Sequence, residues 1–121
     1  MILVDTSVWI EHLRHGEPRL TQLLDANQVL GHPFVVGELA LGQLQRRKVI
    51  LDSLRSLPQA QAASDPEVFR FIETASLHGL GVGYIDAHLL AATRLTPGCT
   101  LWTRDKKLQG VAERLGVSAQ L

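Results

Sequence analysis

Two kinds of hydrophobic pattern alternate along the chain. Short runs of strand type occupy Met1–Val4, Val29–Gly31 and Thr100–Thr103, and the first is apolar throughout, as in a strand buried on both faces. The stretches between these runs repeat apolar residues at helical spacing. This alternation predicts an α/β fold in which helices flank a central, mainly parallel sheet.

Helical spacing and helix-boundary residues predict six helices. Thr6 or Ser7 is available as the N-cap of the first, and Asp65 is the predicted N-cap of the fourth, which Gly79 would end. The predicted helices cover Thr6–Arg14, the segment from Pro33 to Ala40 or as far as Leu44, Val49–Leu57, the segment from Asp65 to Gly79, Tyr84–Leu95 and Lys106–Leu115. The segment Val117–Leu121 is a candidate edge strand.

The length and composition predict one domain. A chain of 121 residues, 45% of them hydrophobic, suffices for a single core, and we expect that domain to span residues 1–121. The one cysteine, Cys99, has no partner for an internal disulfide, and a small buried apolar residue is favoured over a reactive thiol.

No targeting or membrane-spanning pattern is evident. Asp5 interrupts the N-terminal apolar run, and no basic residue precedes it as in a signal peptide. No segment approaches the roughly 20 apolar residues that cross a bilayer. We therefore expect a cytoplasmic protein with no membrane partner.

The overall charge gives weak information about partners. Twelve basic residues balance twelve acidic ones, whereas nucleic-acid-binding domains are more often basic. If several acids gather in one site, the remaining surface is net positive, and Arg46–Lys48 and Arg104 with Lys106 and Lys107 become candidate contacts for a polyanion.

Two acids follow the clearest predicted strands. Asp5 comes directly after the first strand and Asp105 shortly after the last, and ligands bind at the carboxyl ends of strands in open α/β sheets. Each acid also has an alternative explanation, because an aspartate often caps the helix that follows a strand.

Two further acids lie in apolar helical segments. Glu38 is the only charge in Phe34–Leu41, and Asp86 is followed by apolar residues on its own helix face, at Leu89 and Leu90. Carboxylates in such surroundings are usually paired or bound to a metal. For Asp86 a role in helix capping remains an alternative.

The segments around these four acids resemble the PIN-domain ribonucleases of the VapC toxin type. The segments are LVDTSVWIE around Asp5, GELALG around Glu38, YIDAHLLAAT around Asp86 and LWTRDKKL around Asp105. They occur in the family's order and together span nearly the whole chain. One departure is Lys107, where many family members carry a further acid.

The resemblance implies a PIN-like three-layer sandwich and an endoribonuclease that cuts RNA at a divalent-metal site. It also implies a VapB-like antitoxin that inhibits the enzyme, a homodimer, and a larger toxin–antitoxin hetero-oligomer. Gathered carboxylates repel one another by roughly 4 kcal/mol per pair at 4 Å and an effective dielectric of 20. Oxygen ligands favour Mg²⁺ or Mn²⁺ as the cation that relieves this repulsion.

The predicted catalytic and metal-binding residues are therefore Asp5, Glu38, Asp86 and Asp105. Asp5 and Asp86 are the candidates for direct ligands, while Glu38 and Asp105 bind directly or order metal-bound waters. Hydroxyls of Thr6, Ser7 and Thr103 are available to bond the carboxylates or a phosphate. Arg104 is either a phosphate contact or a solvated loop residue.

Three histidines stand outside the acidic set. His12 and His15 have a spacing that a metal pair can use, but charged neighbours make a solvated helix face the favoured interpretation. His88 follows Asp86 by two residues and has no assigned role.

Two classes of alternative function remain. Phosphotransfer domains also place an aspartate after a first strand, but a haloacid-dehalogenase-like phosphatase needs a second one where this chain has Ser7, and the adjacent acids of a receiver domain are missing. The other alternative is a catalytically silent PIN-like module that binds RNA or protein. Acids at all four positions argue against it.

Overall fold

A three-stranded parallel sheet forms the centre of the molecule, which a computed structural model describes over residues 1–121. Seven helices accompany the sheet. In chain order the elements are β1 (Ile2–Val4), α1 (Thr6–His15), α2 (Pro18–Asp25), β2 (Val29–Leu30), α3 (Pro33–Ala40), α4 (Arg47–Arg55), α5 (Asp65–Thr74), α6 (Tyr84–Leu95), β3 (Thr100–Trp102) and α7 (Lys106–Arg114).

Strand β1 lies between the other two strands. Leu3 pairs with Leu30 of β2 on one side and with Leu101 of β3 on the other, and both pairings are parallel. The carboxyl ends of all three strands therefore meet at one edge of the sheet. The residues that follow β1 and β3 are Asp5 and Thr103, so this edge carries the first polar groups of the candidate site.

The core has the composition that the apolar runs predict. Leu3, Val4 and Leu101 of the sheet are fully buried, and so are Leu89 and Leu90 of α6. Helix α6 is the most buried helix, because residues 87–93 have little contact with solvent. This placement fixes the first turn of α6, where Asp86 lies, relative to the sheet.

Three predicted helix boundaries are wrong. The N-cap of α1 is Asp5, rather than Thr6 or Ser7. Ser64, rather than Asp65, caps α5, and it forms a capping box with Glu67. Gly79 does not end α5, which stops at Thr74. Local side-chain hydrogen bonds decide these boundaries, and several neighbouring residues were able to supply them.

Two other elements differ from the predicted pattern. Helix α2 was not predicted, although Pro18 occupies its first turn and suits that position because it lacks an N–H. The predicted edge strand at Val117–Leu121 is reduced to one parallel bridge, between Leu101 and Ser118. No helix has the length and apolar character that crossing a membrane requires.

His32 caps helix α3 from a fully buried position. Its Nδ1 accepts a hydrogen bond from the backbone N–H of Phe34 at 3.0 Å, so the neutral ring carries its proton on Nε2, and that atom has no partner. Burial, and secondly the neighbouring His88, lower the pKa of His32 to about 4. The fold therefore depends on an uncharged ring at this position.

We expect acid to destabilise the fold through His32. The pKa of His32 is lowered on folding. Its contribution to the free energy of unfolding is therefore complete above the unfolded pKa of 6.5 and is lost as pH falls towards 4. Protonation should cost about 2 kcal/mol of unfolding free energy between pH 7.5 and 4.5. Urea titrations at both pH values should show a smaller loss for His32→Asn, which retains a capping acceptor but does not titrate. Equal losses in the two proteins would contradict this assignment.

Candidate active site

Asp5 joins the ends of β1 and β3. Its Oδ2 accepts hydrogen bonds from Ser7 Oγ at 2.7 Å and from Thr103 Oγ1 at 2.8 Å, and it also caps the N–H of Ser7. The residue is buried, with 6% of its surface exposed. The predicted hydroxyl partners of the carboxylate are thus present at Ser7 and Thr103.

The same hydroxyls hold the loop that carries Asp105. The backbone N–H of Asp105 donates to Thr103 Oγ1 at 3.0 Å, and the N–H of Arg104 donates to Ser7 Oγ at 3.0 Å. Asp105 Oδ1 caps α7 by accepting from the N–H of Leu108. One hydrogen-bond network therefore connects Asp5 to Asp105.

Glu38 enters the site from α3. Thr6, which follows Asp5 in the chain, donates its hydroxyl to Glu38 Oε1 at 2.6 Å. This bond links the first turn of α1 to the last turn of α3, two helices that pack together. Glu38 is therefore tied to the residue next to Asp5.

Asp86 lies in the first turn of α6, where burial raises its pKa, near enough to the other three acids for their charges to raise it further. Its Oδ2 accepts from the backbone N–H of Gly83 at 3.1 Å. Burial raises the pKa of Asp86, the Gly83 hydrogen bond partly opposes this, and the charges of three further acids raise it again. These acids are Asp5, Asp105 and Glu38.

The loop before α6 contacts helix α7. A side chain added at Gly81 would meet Lys107, whose Cδ lies 2.7 Å from the Cβ position, and Gly81 has a φ of +80° that favours glycine. The loop before Asp86 thus rests on the first turn of the helix that Asp105 caps. Lys107, the departure from the family pattern, packs on this loop.

Each of the four carboxylates has one anchored oxygen and one without a protein partner. The anchored atoms are Asp5 Oδ2, Glu38 Oε1, Asp86 Oδ2 and Asp105 Oδ1. No three of the acidic, histidine and cysteine side chains stand close enough together to enclose a metal ion unaided. This donor set fits a hydrated hard cation, because Mg²⁺ retains several waters rather than requiring a closed protein cage.

The two explanations for the aspartates are compatible. Asp5 and Asp105 both cap helices, as the alternative interpretation supposed, and Asp86 holds the backbone ahead of its own helix. Capping uses only one oxygen of each group. The cap accordingly orients the carboxylate and leaves its other oxygen available for a ligand.

The remaining sequence candidates lie outside this network. His15 is exposed, but the prediction of a solvated face is wrong for His12, which is half-buried and accepts from the N–H of Glu17. His88 is buried, with Nε2 at 3.2 Å from Asp65 Oδ1. Cys99 is buried as expected, and burial raises the pKa of its thiol.

Sequence reasoning missed one residue near the site. The carboxylate of Glu17 pairs with Arg104 at 2.8 Å. Nothing in the local sequence distinguishes Glu17, since it is a polar residue in the turn before Pro18 and its partner is 87 positions away.

Comparison with known proteins shows which family the chain belongs to. Residues 2–114 match the PIN domain family. The chain belongs to this family. It is 47% identical over 118 residues to Ribonuclease VapC32 of Mycobacterium tuberculosis, in strains CDC 1551 / Oshkosh and ATCC 25618 / H37Rv, with 98% of this chain and 95% of the relative covered. The resemblance to VapC proteins is therefore confirmed.

A solved structure supports the same fold. The crystal structure of FitAcB from Neisseria gonorrhoeae aligns with a TM-score of 0.64 and 24% identity, covering 93% of this chain and 94% of that chain. The predicted α/β PIN-like architecture is confirmed. The roles of the four acids in this PIN domain stay predictions.

We expect Asp86→Asn to raise the thermal midpoint of the metal-free protein at neutral pH. The pKa of Asp86 is raised on folding, first by burial, so its ionisation opposes folding increasingly as pH rises through the folded value. The gain in thermal midpoint should shrink as the pH falls towards 3.8, the pKa of this carboxyl in the unfolded protein.

Thermal scans in chelator at several pH values test this expectation. Asp25→Asn is the control, because it removes the same charge from an exposed position at the end of α2. A lower midpoint for Asp86→Asn at neutral pH would show that the Gly83 hydrogen bond outweighs the electrostatic cost.

Proposed function

We propose that this PIN domain is the toxin of a VapBC-type toxin–antitoxin pair and a Mg²⁺- or Mn²⁺-dependent endoribonuclease. The observation that carries the proposal is the set of four carboxylates, each anchored through one oxygen and free at the other. The relative named Ribonuclease VapC32, 47% identical, supports RNA as the substrate class.

The four acids divide into two groups by position. Asp5 and Asp86 are our candidates for direct metal ligands, since Asp5 is buried between two strand ends and the pKa of Asp86 responds to the charges of the other three. Glu38 and Asp105 bind directly or hold metal-bound waters. When present, the ion would supply an acidified water and stabilise charge on the phosphoryl oxygens.

The protein's own contribution is rigid orientation. Ser7 and Thr103 donate to the same oxygen of Asp5, and their hydroxyls lie 3.3 Å apart. Their hydrogen bonds fix Oδ2, the oxygen that also caps α1, and leave Oδ1 available for a ligand. Thr6 likewise fixes Oε1 of Glu38 and leaves Oε2 available. A site so oriented needs little rearrangement when it binds a cation.

A groove beside Glu38 supports the proposed antitoxin partner. A cavity of about 550 Å³ lies between α1, α3 and α4, and its lining mixes apolar side chains, including Ile10, Leu13 and Ile50, with polar ones. Glu38 forms part of its lining. An antitoxin segment with apolar side chains in this groove would reach one of the four carboxylates and so obstruct the site.

We expect a chelator to abolish RNA cleavage. With EDTA the wild-type protein should leave a labelled single-stranded RNA intact, and added Mg²⁺ or Mn²⁺ should restore cleavage, because the ion supplies the attacking water. Gel analysis of the products measures both results. Full activity in chelator would instead indicate a metal-free ribonuclease.

Asp5→Asn should lower cleavage by roughly 100-fold or more, since it removes the negative charge that the cation needs. Asparagine retains an oxygen for the hydroxyls of Ser7 and Thr103, so the variant should remain folded in chelator. Saturating Mg²⁺ should raise the thermal midpoint of the wild type more than that of the variant.

Asp25→Asn again serves as the matched control and should keep full activity. Unfolding of Asp5→Asn in chelator would make Asp5 mainly a structural cap. If the wild type bound RNA and metal without cleaving, the chain would be a silent PIN module.

A further inference from the structure

Arg104 lies beside two of the four acids, Asp5 and Asp105. It stands between Thr103, which bonds Asp5, and Asp105, and its own backbone N–H donates to Ser7 Oγ. The start of its side chain is thus fixed next to the site. The side chain itself is 39% exposed, so its guanidinium is within reach of a ligand in solvent.

One carboxylate holds this guanidinium in the protein without RNA. Arg104 Nη2 lies 2.8 Å from Glu17 Oε2, and the other oxygen of Glu17 lies 3.0 Å from Arg19 Nε. Only 14% of the Glu17 side chain is exposed, whereas the arginines remain open to solvent. The hydrogen bond from Arg19 is the largest cause that lowers the pKa of Glu17.

The cluster of Glu17, Arg19 and Arg104 has two cations for one anion. The Arg19 guanidinium also lies over the ring of Trp102, 5.4 Å from its centre, which restricts its orientation. Arg104 uses only Nη2 in this arrangement, and its Nε and Nη1 have no protein partner. A chain of zero net charge therefore concentrates local positive charge next to its acidic site.

The chemistry of this ion pair suits a phosphate. Guanidinium groups bind carboxylates and phosphates with the same planar geometry, and an ion pair that is partly exposed contributes little to stability. A phosphodiester of a bound strand can displace the Glu17 carboxylate at small cost.

We propose that Arg104 binds a backbone phosphate of the RNA next to the carboxylate site, and that Glu17 is an internal competitor that occupies Arg104 until RNA arrives. This inference rests on the proposed function for its substrate. It differs from a purely structural role, in which the Arg104–Glu17 pair fastens the β3–α7 loop to the turn before α2.

Two variants that break the same ion pair separate these roles. Arg104→Gln and Glu17→Gln are compared with Arg114→Gln, a control at the far end of α7, about 13 Å along the helix axis from Asp105. The probe is a short labelled single-stranded RNA, and binding is measured in EDTA over a series of salt concentrations, where cleavage does not interfere.

We expect Arg104→Gln to weaken binding about 10-fold and to lower the slope of log affinity against log salt by about 0.7. Glu17→Gln should bind RNA more tightly than the wild type, because it removes the competitor. Arg114→Gln should keep the wild-type slope. In Mg²⁺, Arg104→Gln should raise the KM for RNA far more than it lowers kcat.

If Arg104→Gln and Glu17→Gln weakened RNA binding equally, with matching falls in thermal midpoint, the inference would be overturned in favour of the structural role. Equal weakening by Arg104→Gln and Arg114→Gln would overturn it in favour of general charge attraction. If the expected binding changes appear although the wild type does not cleave RNA in Mg²⁺, the nuclease activity fails while Arg104 and Glu17 keep the assigned roles.

Discussion

The hydrogen bond between Thr103 and Asp5, 2.8 Å long, joins the carboxyl ends of two parallel strands, and the geometry of the site depends on it. Parallel pairing alone brings β1 and β3 side by side with their ends at one edge. The Thr103 hydroxyl then fixes the Asp5 carboxylate and also accepts from the N–H of Asp105. One threonine thus sets the separation between two acids that are 100 positions apart in the chain.

The same arrangement has an energetic cost. Burial raises the pKa of Asp86, and the charges of the other three acids add to that rise because neighbouring carboxylates repel one another. Donors to the anchored oxygens offset part of the cost, because hydrogen bonds to a charged group are stronger than those between neutral groups. The apolar core around Leu3, Leu89 and Leu101 supplies the rigidity that keeps the acids from moving apart.

Helix capping and ligand binding share residues in this fold. Asp5 caps α1 and Asp105 caps α7, so the two helices begin where the candidate site lies. A cap restricts the rotamer of its aspartate, and the orientation of the second oxygen follows. The chain is a PIN-family member that is 47% identical to Ribonuclease VapC32, and the caps give a physical reason for proposing its active site at these helix starts.

The sequence by itself determined the architecture and the acids to consider. The apolar run Met1–Val4 identified β1, because a strand buried on both faces has no polar positions, and the strand-type run Thr100–Thr103 identified β3. The acids after them were placed at the sheet edge by that assignment alone. Glu38 and Asp86 were evident because charges are rare in apolar helices. Tertiary structure alone decided which oxygens are anchored, that His32 is a buried neutral cap, and that Glu17 pairs with Arg104. The bonds of Thr103 to Asp5, of Thr6 to Glu38 and of Arg104 to Glu17 join residues far apart in sequence, and local pattern holds no information about such distances. The caps at His32, Asp86 and Asp105 are local, but neighbouring residues offered the same bonds, and burial decided among them.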